Sequence, residues 1–263
     1  MVKALIRSVL KWMGYDLVPA RRRDSTDGVL ANLARNGLVP ATVIDVGAAF
    51  GDFARTASRH FPEARLVLVE PLADYGPALK STLADLPRAR LVQAAASNQA
   101  GPITFHVHED LVGSSLLGEA EGDAVDGQPR EVDCIRLDDA LVNDPGPYLL
   151  KADVQGAERA VLEGAEGLLG DCAAVILETS FVEFFDGGPL AHDLIAWMEG
   201  QGFRLHDLFG LAHRPLDGAL AQADLVFVPV ASPLRSEKAY ARPDQRAALT
   251  AAFRAKLKAR GIG

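Results

Sequence analysis

Sulfur is scarce in this sequence: 263 residues contain two cysteines, Cys134 and Cys172, and three methionines. No Cys-x-x-Cys pair exists, which excludes a cysteine zinc site and a disulfide framework. Two isolated thiols are expected to stay reduced, consistent with a cytoplasmic protein. Positive charge is also in short supply. Lys and Arg number 27 against 35 Asp and Glu, a formal net charge of −8, and such a balance argues against a nucleic-acid partner held by its phosphates. The basic residues are not spread evenly: Lys3, Arg7 and Lys11 precede the run Arg21-Arg22-Arg23, and the C-terminal segment is basic as well. Long apolar runs are missing as well. The opening MVKALIRSVLKWMGYDLVP interleaves charges with apolar residues. It falls short of the roughly 20 apolar residues that span a bilayer and lacks the uninterrupted apolar stretch and A-x-A site of a signal peptide. Val2, Leu5, Ile6, Val9, Leu10 and Met13 recur instead at helical spacing. Residues 1–18 are therefore expected to form an amphipathic helix that packs on the domain, makes a homodimer contact or lies on a membrane surface.

What the sequence does have is apolar bulk, at 49% hydrophobic residues, enough for one sizeable domain with a buried core. From Thr42 onward, short runs rich in Val, Ile and Leu alternate with helical segments. The runs predict strands at Thr42–Val46, Arg65–Val69, Arg90–Ala95, Tyr148–Ala152, Ala174–Leu177, Phe203–Leu208 and Leu225–Val230. Helices are predicted at Phe50–His60, Ala73–Leu86, Ala157–Leu169 and Leu190–Gln201, and again at Asp244–Lys258. The alternation implies an α/β fold with a mostly parallel seven-stranded sheet and helices on both faces. A strand-rich insertion near 103–137 interrupts it, with ITFHVHE and REVDCIRL flanking a polar loop from Leu111 to Arg130 that carries Ser114 and Ser115. The expected division is an N-terminal extension over 1–40, a central domain over 41–231 and a helical tail over 232–263.

The segment VIDVGAAFGDFA, Val43 to Ala54, reads as a strand, a glycine turn and a helix start. Gly47 and Gly51 permit a sharp turn and the close approach of a ligand to the backbone. A dinucleotide fingerprint needs a third glycine where Ala49 stands, which disfavours a nicotinamide oxidoreductase. The spacing D-x-G-x-x-x-G is similar to the first motif of the Rossmann-like methyltransferases. That likeness implies S-adenosylmethionine as cofactor, with Asp45 near its methionyl ammonium and Gly47, Ala48, Phe50 and Gly51 around it. The second strand ends in Glu70, followed by Pro71, and an acid at that position can accept both ribose hydroxyls. Small residues after the third strand, Ala95 and Ala96, suit a flat adenine.

LLKADVQGAERAVLEGAEGLL, Leu149 to Leu169, resembles the hallmark of the FkbM methyltransferases, K-x-D-x-x-G-x-E, at Lys151, Asp153, Gly156 and Glu158. IRLDDAL and AVILETSF, which carries Glu178, extend the likeness over roughly Thr42 to Gly210. The resemblance implies a Rossmann-like class I methyltransferase fold and O-methylation of a hydroxyl on a sugar, glycan or polyketide-like small molecule. Asp153 is then the expected base, with Lys151 and Glu178 orienting the substrate or tuning that carboxylate, and Ser114, Ser115, Gln155 and Glu158 are expected near the acceptor. A purely structural Lys151–Asp153 ion pair is the competing reading. Asp153 and Glu178 with a neighbouring carboxylate are an oxygen set for Mg²⁺, but the sequence does not favour a metal; His106 and His108 lack a third ligand, and His192 and His206 are weaker bases. A cofactor-binding module without catalysis is the remaining alternative.

Overall fold

The computed structural model describes residues 24–122 and 125–262; the helix expected over residues 1–18 lies outside them. The chain divides into two compact units, one ending at Val230 and the other running Ala231–Gly263.

In the first unit, helix α1 (Thr26–Arg35) starts at Ser25, whose side chain accepts the Gly28 N–H at 3.2 Å. Strand β1 (Thr42–Val46) follows, then α2 (Asp52–His60), β2 (Arg65–Val69), α3 (Gly76–Asp85) and β3 (Ala89–Val92). Two short strands, β4 (Ala95–Ala96) and β5 (Gly101–Val107), precede the insertion, and β6 (Gln128–Ile135) leaves it. The chain continues through α4 (Leu137–Ala140), β7 (Tyr148–Ala152), α5 (Glu158–Glu163), α6 (Glu166–Leu169), β8 (Cys172–Ser180) and α7 (Ala191–Gly200). It ends in the hairpin of β9 (Phe203–His213) and β10 (Leu220–Pro229).

Seven strands form one sheet in the order β3-β2-β1-β7-β8-β10-β9, and β4, β6 and β5 form a second, three-stranded sheet. The first five strands of the large sheet pair in parallel, while β10 runs antiparallel to both β8 and β9. Every residue of β1 and β7 is buried, as expected for central strands covered on both faces. Val46, Leu150, Leu177, Leu194, Met198 and Phe227 belong to one buried apolar cluster; full burial of such side chains contributes about 1.5–3 kcal/mol each. The fold class is thus the α/β sheet that the strand–helix alternation implies.

Three predicted elements are divided in the structure. The stretch Arg90–Ala95 is two strands: after β3 the chain turns, and Ala95–Ala96 pairs with Cys134–Ile135 in the second sheet. Residues Ala73–Leu86 form a 3-10 turn (Ala73–Tyr75) and then α3, because Pro77 fits the first turn of a helix but not its interior. Ala157–Leu169 breaks at Gly164, which packs so closely on the Ser97 carbonyl that a Cβ would collide with it. The last hairpin is longer than its apolar runs, extending to His213 and back from Leu220.

In the second unit, α8 (Pro243–Ala259) is preceded by a short 3-10 turn, Pro233–Arg235, and has no buried residue. No helix among the described residues is long and apolar enough to cross a membrane.

Candidate active site

The loops after β1, β2 and β7 meet at the carboxyl edge of the large sheet, where ligands of open α/β sheets bind. They enclose a cavity of about 270 Å³ whose wall includes Gly47, Phe50, Glu70, Ala96, Asp153 and Glu178. One wall is the glycine turn. Gly47 has φ +75°, and a Cβ there would run into the backbone carbonyl of Asp153, so the turn after β1 and the turn after β7 pack backbone to backbone. Ala49 takes a positive φ of 44° and turns its N–H to Glu70 Oε2 at 2.9 Å. The second carboxylate oxygen of Glu70 accepts the Leu72 N–H at 2.9 Å. Each oxygen retains a lone pair for a further donor, and burial raises the carboxyl pKa against those two N–H bonds. Phe50 and Tyr75 meet edge to face at 4.9 Å between ring centroids and line the same wall with Pro71. Opposite them lie Ala94, Ala95 and Ala96, and the insertion contributes Leu111, Val112, Ser114 and Leu116.

The polar end of the cavity is a chain of side chains. Lys151 Nζ donates to Asp153 Oδ2 at 3.0 Å. The Gln155 amide donates to Asp153 Oδ1 at 3.0 Å and to Glu178 Oε2 at 2.7 Å. Gln222 on β10 donates to the same Glu178 oxygen at 3.0 Å. Gln155 reaches both carboxylates because it takes φ 53°, in the left-handed region that non-glycine residues rarely adopt. Burial alone would raise the Asp153 pKa, but the charge and hydrogen bond of Lys151 outweigh it and hold the carboxyl below its usual range. Glu178 moves the other way, raised by burial and by the charge of Asp153. Lys151 is held above its ordinary range, because Asp153 and Asp45 outweigh its burial. The two carboxyls are therefore driven apart, Asp153 toward its ionised form and Glu178 toward its protonated form.

Several residues expected at the site stand away from the cavity. Asp45, inside fully buried β1, is 1% exposed and faces Lys151 Nζ at 3.6 Å. Burial, opposed by Lys151, raises its pKa to about 6, and neither oxygen has a hydrogen-bond donor among the described residues. Its side chain shares the face of the sheet that carries Lys151, whose ammonium lies 5.7 Å from the Phe53 ring on α2. Lys151 likewise touches the cavity only through Asp153. Gly51 is the left-handed N-cap of α2 (φ 80°) and packs on Thr82, which a Cβ would approach to 2.8 Å. Ala48 is buried behind the turn, donating its N–H to the Val69 carbonyl at 3.2 Å. Ser115 is fully buried, donating to the Gln155 carbonyl at 2.6 Å, so it braces the β7 turn. Glu158 is 2% exposed and its Oε1 accepts the N–H groups of Val154 and Gly156; burial pushes its pKa up to about 7. It too supports the turn rather than facing a ligand. Glu178 lies inside β8, which runs on to Ser180, rather than at the strand's end.

Ala49, Leu72, Tyr75 and Gln222 carry contacts that the sequence motifs did not single out. A residue after a glycine turn has a free N–H, which is the one signal that points to Ala49. His106 and His108 pair with Asp126 at 2.8 Å and Glu119 at 3.5 Å, and His192 is exposed beside Asp193. No cluster of three or more His, Cys, Asp or Glu side chains among the described residues is placed to hold a metal ion.

A family model described as the methyltransferase FkbM domain matches residues 45–205. The 2-O-methyltransferase NoeI of Sinorhizobium fredii is 30% identical over 161 residues, 55% of this chain and 65% of that protein, so the match spans less than two thirds of the relative's length. A crystal structure of a methyltransferase FkbM from Methylobacillus flagellatus is 16% identical with a TM-score of 0.43, covering 70% of this chain and 43% of the other. A precorrin-6y C5,15-methyltransferase from Geobacter metallireducens is 13% identical with a TM-score of 0.43, covering 77% and 86% of the two chains. The fold rests on the strand order, not on these structural likenesses.

Proposed function

The chain belongs to the FkbM methyltransferase family, and on that premise we propose that it is an S-adenosylmethionine-dependent O-methyltransferase acting on a hydroxyl of a sugar, glycan or polyketide-like small molecule. The observation that carries this reading is one cavity whose wall holds both Glu70 and Asp153. The residues fit the cofactor. Glu70 is fixed by two backbone N–H groups and has lone pairs to spare for a vicinal diol, the Ala94–Ala96 wall suits a planar base, and the turn at Gly47 leaves no Cβ in the way.

When bound, the cofactor supplies a methyl group already activated on a sulfonium. The chain's own residues hold the acceptor in line and take up its proton. Positioning can contribute about 7–11 kcal/mol in favourable cases, and a placed base about two to four decades in rate. Asp153 is the base in this reading. Its pKa is low for a general base, but the acceptor oxygen turns strongly acidic as its bond to carbon forms, so a low-pKa carboxylate suffices. Lys151 fixes Oδ2 and Gln155 fixes Oδ1, and the upward shift of Glu178 favours its neutral form beside the ionised Asp153. The domain that does this is assigned to residues 41–231.

The test is isothermal titration with S-adenosylhomocysteine of the wild type and of Glu70→Ala. Binding that weakens at least tenfold in the variant supports the reading. No binding to the wild type would overturn it.

A further inference from the structure

The polar network around Asp153 extends past the part of the chain that the family model matches. That match ends at residue 205, and Gln222 lies beyond it on β10. In the sheet, Gln222 pairs with Ser180 of β8 and Asp224 with Glu178. The β9–β10 ladder shifts register on each side of Gln222, between Leu220 and Gln222 and again between Gln222 and Asp224. Such bulges bend a strand and re-aim a side chain, and they gather beside active sites. The half-buried Gln222 sets its Nε2 3.0 Å from Glu178 Oε2 and 3.4 Å from Gln155 Oε1.

A side-chain amide has two N–H groups and one carbonyl oxygen. Both N–H groups of Gln155 are committed, one to Asp153 Oδ1 at 3.0 Å and one to Glu178 Oε2 at 2.7 Å. Its oxygen accepts from Gln222. Gln155, Glu178 and Gln222 therefore close a ring of hydrogen bonds drawn from the β7 turn, β8 and β10. Turned over, the Gln155 amide would set its oxygen against both carboxyl groups and its N–H groups against those of Gln222. From this ring we propose that Gln222 is a positioning residue for methyl transfer, which locks the Gln155 amide and so holds Asp153 Oδ1 in place. The proposal rests on the reading of Asp153 as the base and adds what keeps that base aimed. Gln222 stands behind Gln155 and Glu178, which line the larger cavity, and acts through them. Asp153 is thus held from two sides, by Lys151 at Oδ2 and by the two glutamines at Oδ1.

The experiment measures solvent exchange of the Gln155 side-chain N–H groups by ¹⁵N NMR on the full chain with S-adenosylhomocysteine bound. Their signals are assigned by their loss in Gln155→Glu. Gln222→Met keeps the length of the side chain and removes its donors; exchange is expected to speed up about tenfold, the worth of one hydrogen bond. Gln222→Glu keeps the shape, and only its neutral form can donate to Gln155 Oε1. Relative to wild type at the same pH, it is expected to behave like Gln222→Met at pH 8 and to recover at pH 5.5. A residue that only fills space would not give that recovery. Titration with S-adenosylhomocysteine, expected within about twofold of wild type, shows that each variant is folded. In radiolabelled methyl transfer to a methyl glycoside, Gln222→Met is expected to lose about tenfold in kcat with KM for S-adenosylmethionine held. Wild-type exchange in Gln222→Met, equal exchange in the two variants at both pH values, or an unchanged kcat would each overturn the proposal. A wild type that does not bind S-adenosylhomocysteine would overturn the methyltransferase reading instead.

Discussion

The backbone carbonyl of Asp153 occupies the position that a Cβ on Gly47 would need. This contact joins the turn after β1 to the turn after β7 and so fixes how the two loops that line the larger cavity sit against each other. Gly47→Ala adds a methyl against that carbonyl and forces a non-glycine residue to φ 75°, a strain of about 1–3 kcal/mol before the clash is counted. A lower melting temperature and lost S-adenosylhomocysteine binding are expected. Wild-type values for both, by differential scanning fluorimetry and titration, would contradict the contact.

Asp153→Asn keeps the shape and the Gln155 side of the network but removes the charge that faces Lys151. Methyl transfer is expected to fall by about 10²–10⁴-fold, with S-adenosylhomocysteine affinity within a few-fold of wild type. Transfer of a radiolabelled methyl group to a glycoside acceptor is the measurement. Retained turnover removes Asp153 from the role of base.

Lys151→Met should destabilise the fold, because Asp45 and Asp153 both lose the cation that offsets their burial. Breaking a buried pair from one side costs about 3–5 kcal/mol. Urea denaturation would reveal it, and a change under 1 kcal/mol, on the order of an exposed ion pair, would show that water reaches the cluster.

Glu158 gives a pH dependence with a definite sign. Its pKa is raised to about 7 in the folded chain, against about 4.3 for an unfolded glutamate. Between those values the folded state binds more protons, so this group's contribution is fully present below about pH 4.3 and is lost as pH rises through about 7. Glu158→Gln still offers an oxygen to the Val154 and Gly156 N–H groups and has no charge to bury. The variant is therefore expected to gain on the wild type as pH rises from 5 to 8, by at most about 1.4 kcal/mol per pH unit. Urea midpoints at pH 5, 6.5 and 8 decide it; a constant difference would mean that Glu158 does not titrate there.

Much of this was readable in the sequence, and what was not has physical reasons. TVIDV, RLVLV and YLLKA are dominated by apolar residues because central parallel strands are covered on both faces, so their limits were legible to the residue even with Asp45 and Lys151 inside them. Glu70, Asp153 and Gln155 follow strand ends and could be placed at the carboxyl edge from sequence. Asp45, Glu158 and Ser115 could not be told from ligand-facing residues, since a polar side chain buried to brace a turn reads like one that faces a ligand. The break at Gly164 depends on a contact with Ser97, which no local pattern encodes.

The second sheet has a consequence for how this protein can change. Ala95 and Ala96 and the segment from Leu111 to Leu116 are carried by β4, β5 and β6, whose ladder hydrogen bonds do not enter the seven-stranded sheet. Residues of the 108–122 segment other than Ser115, whose hydroxyl braces the turn after β7, can therefore be exchanged without disturbing the registers of β1, β2 and β7 that fix Glu70 and Asp153. One rim of the binding cleft is thus a replaceable part, and ligand preference can drift there while the chemistry beneath stays constant.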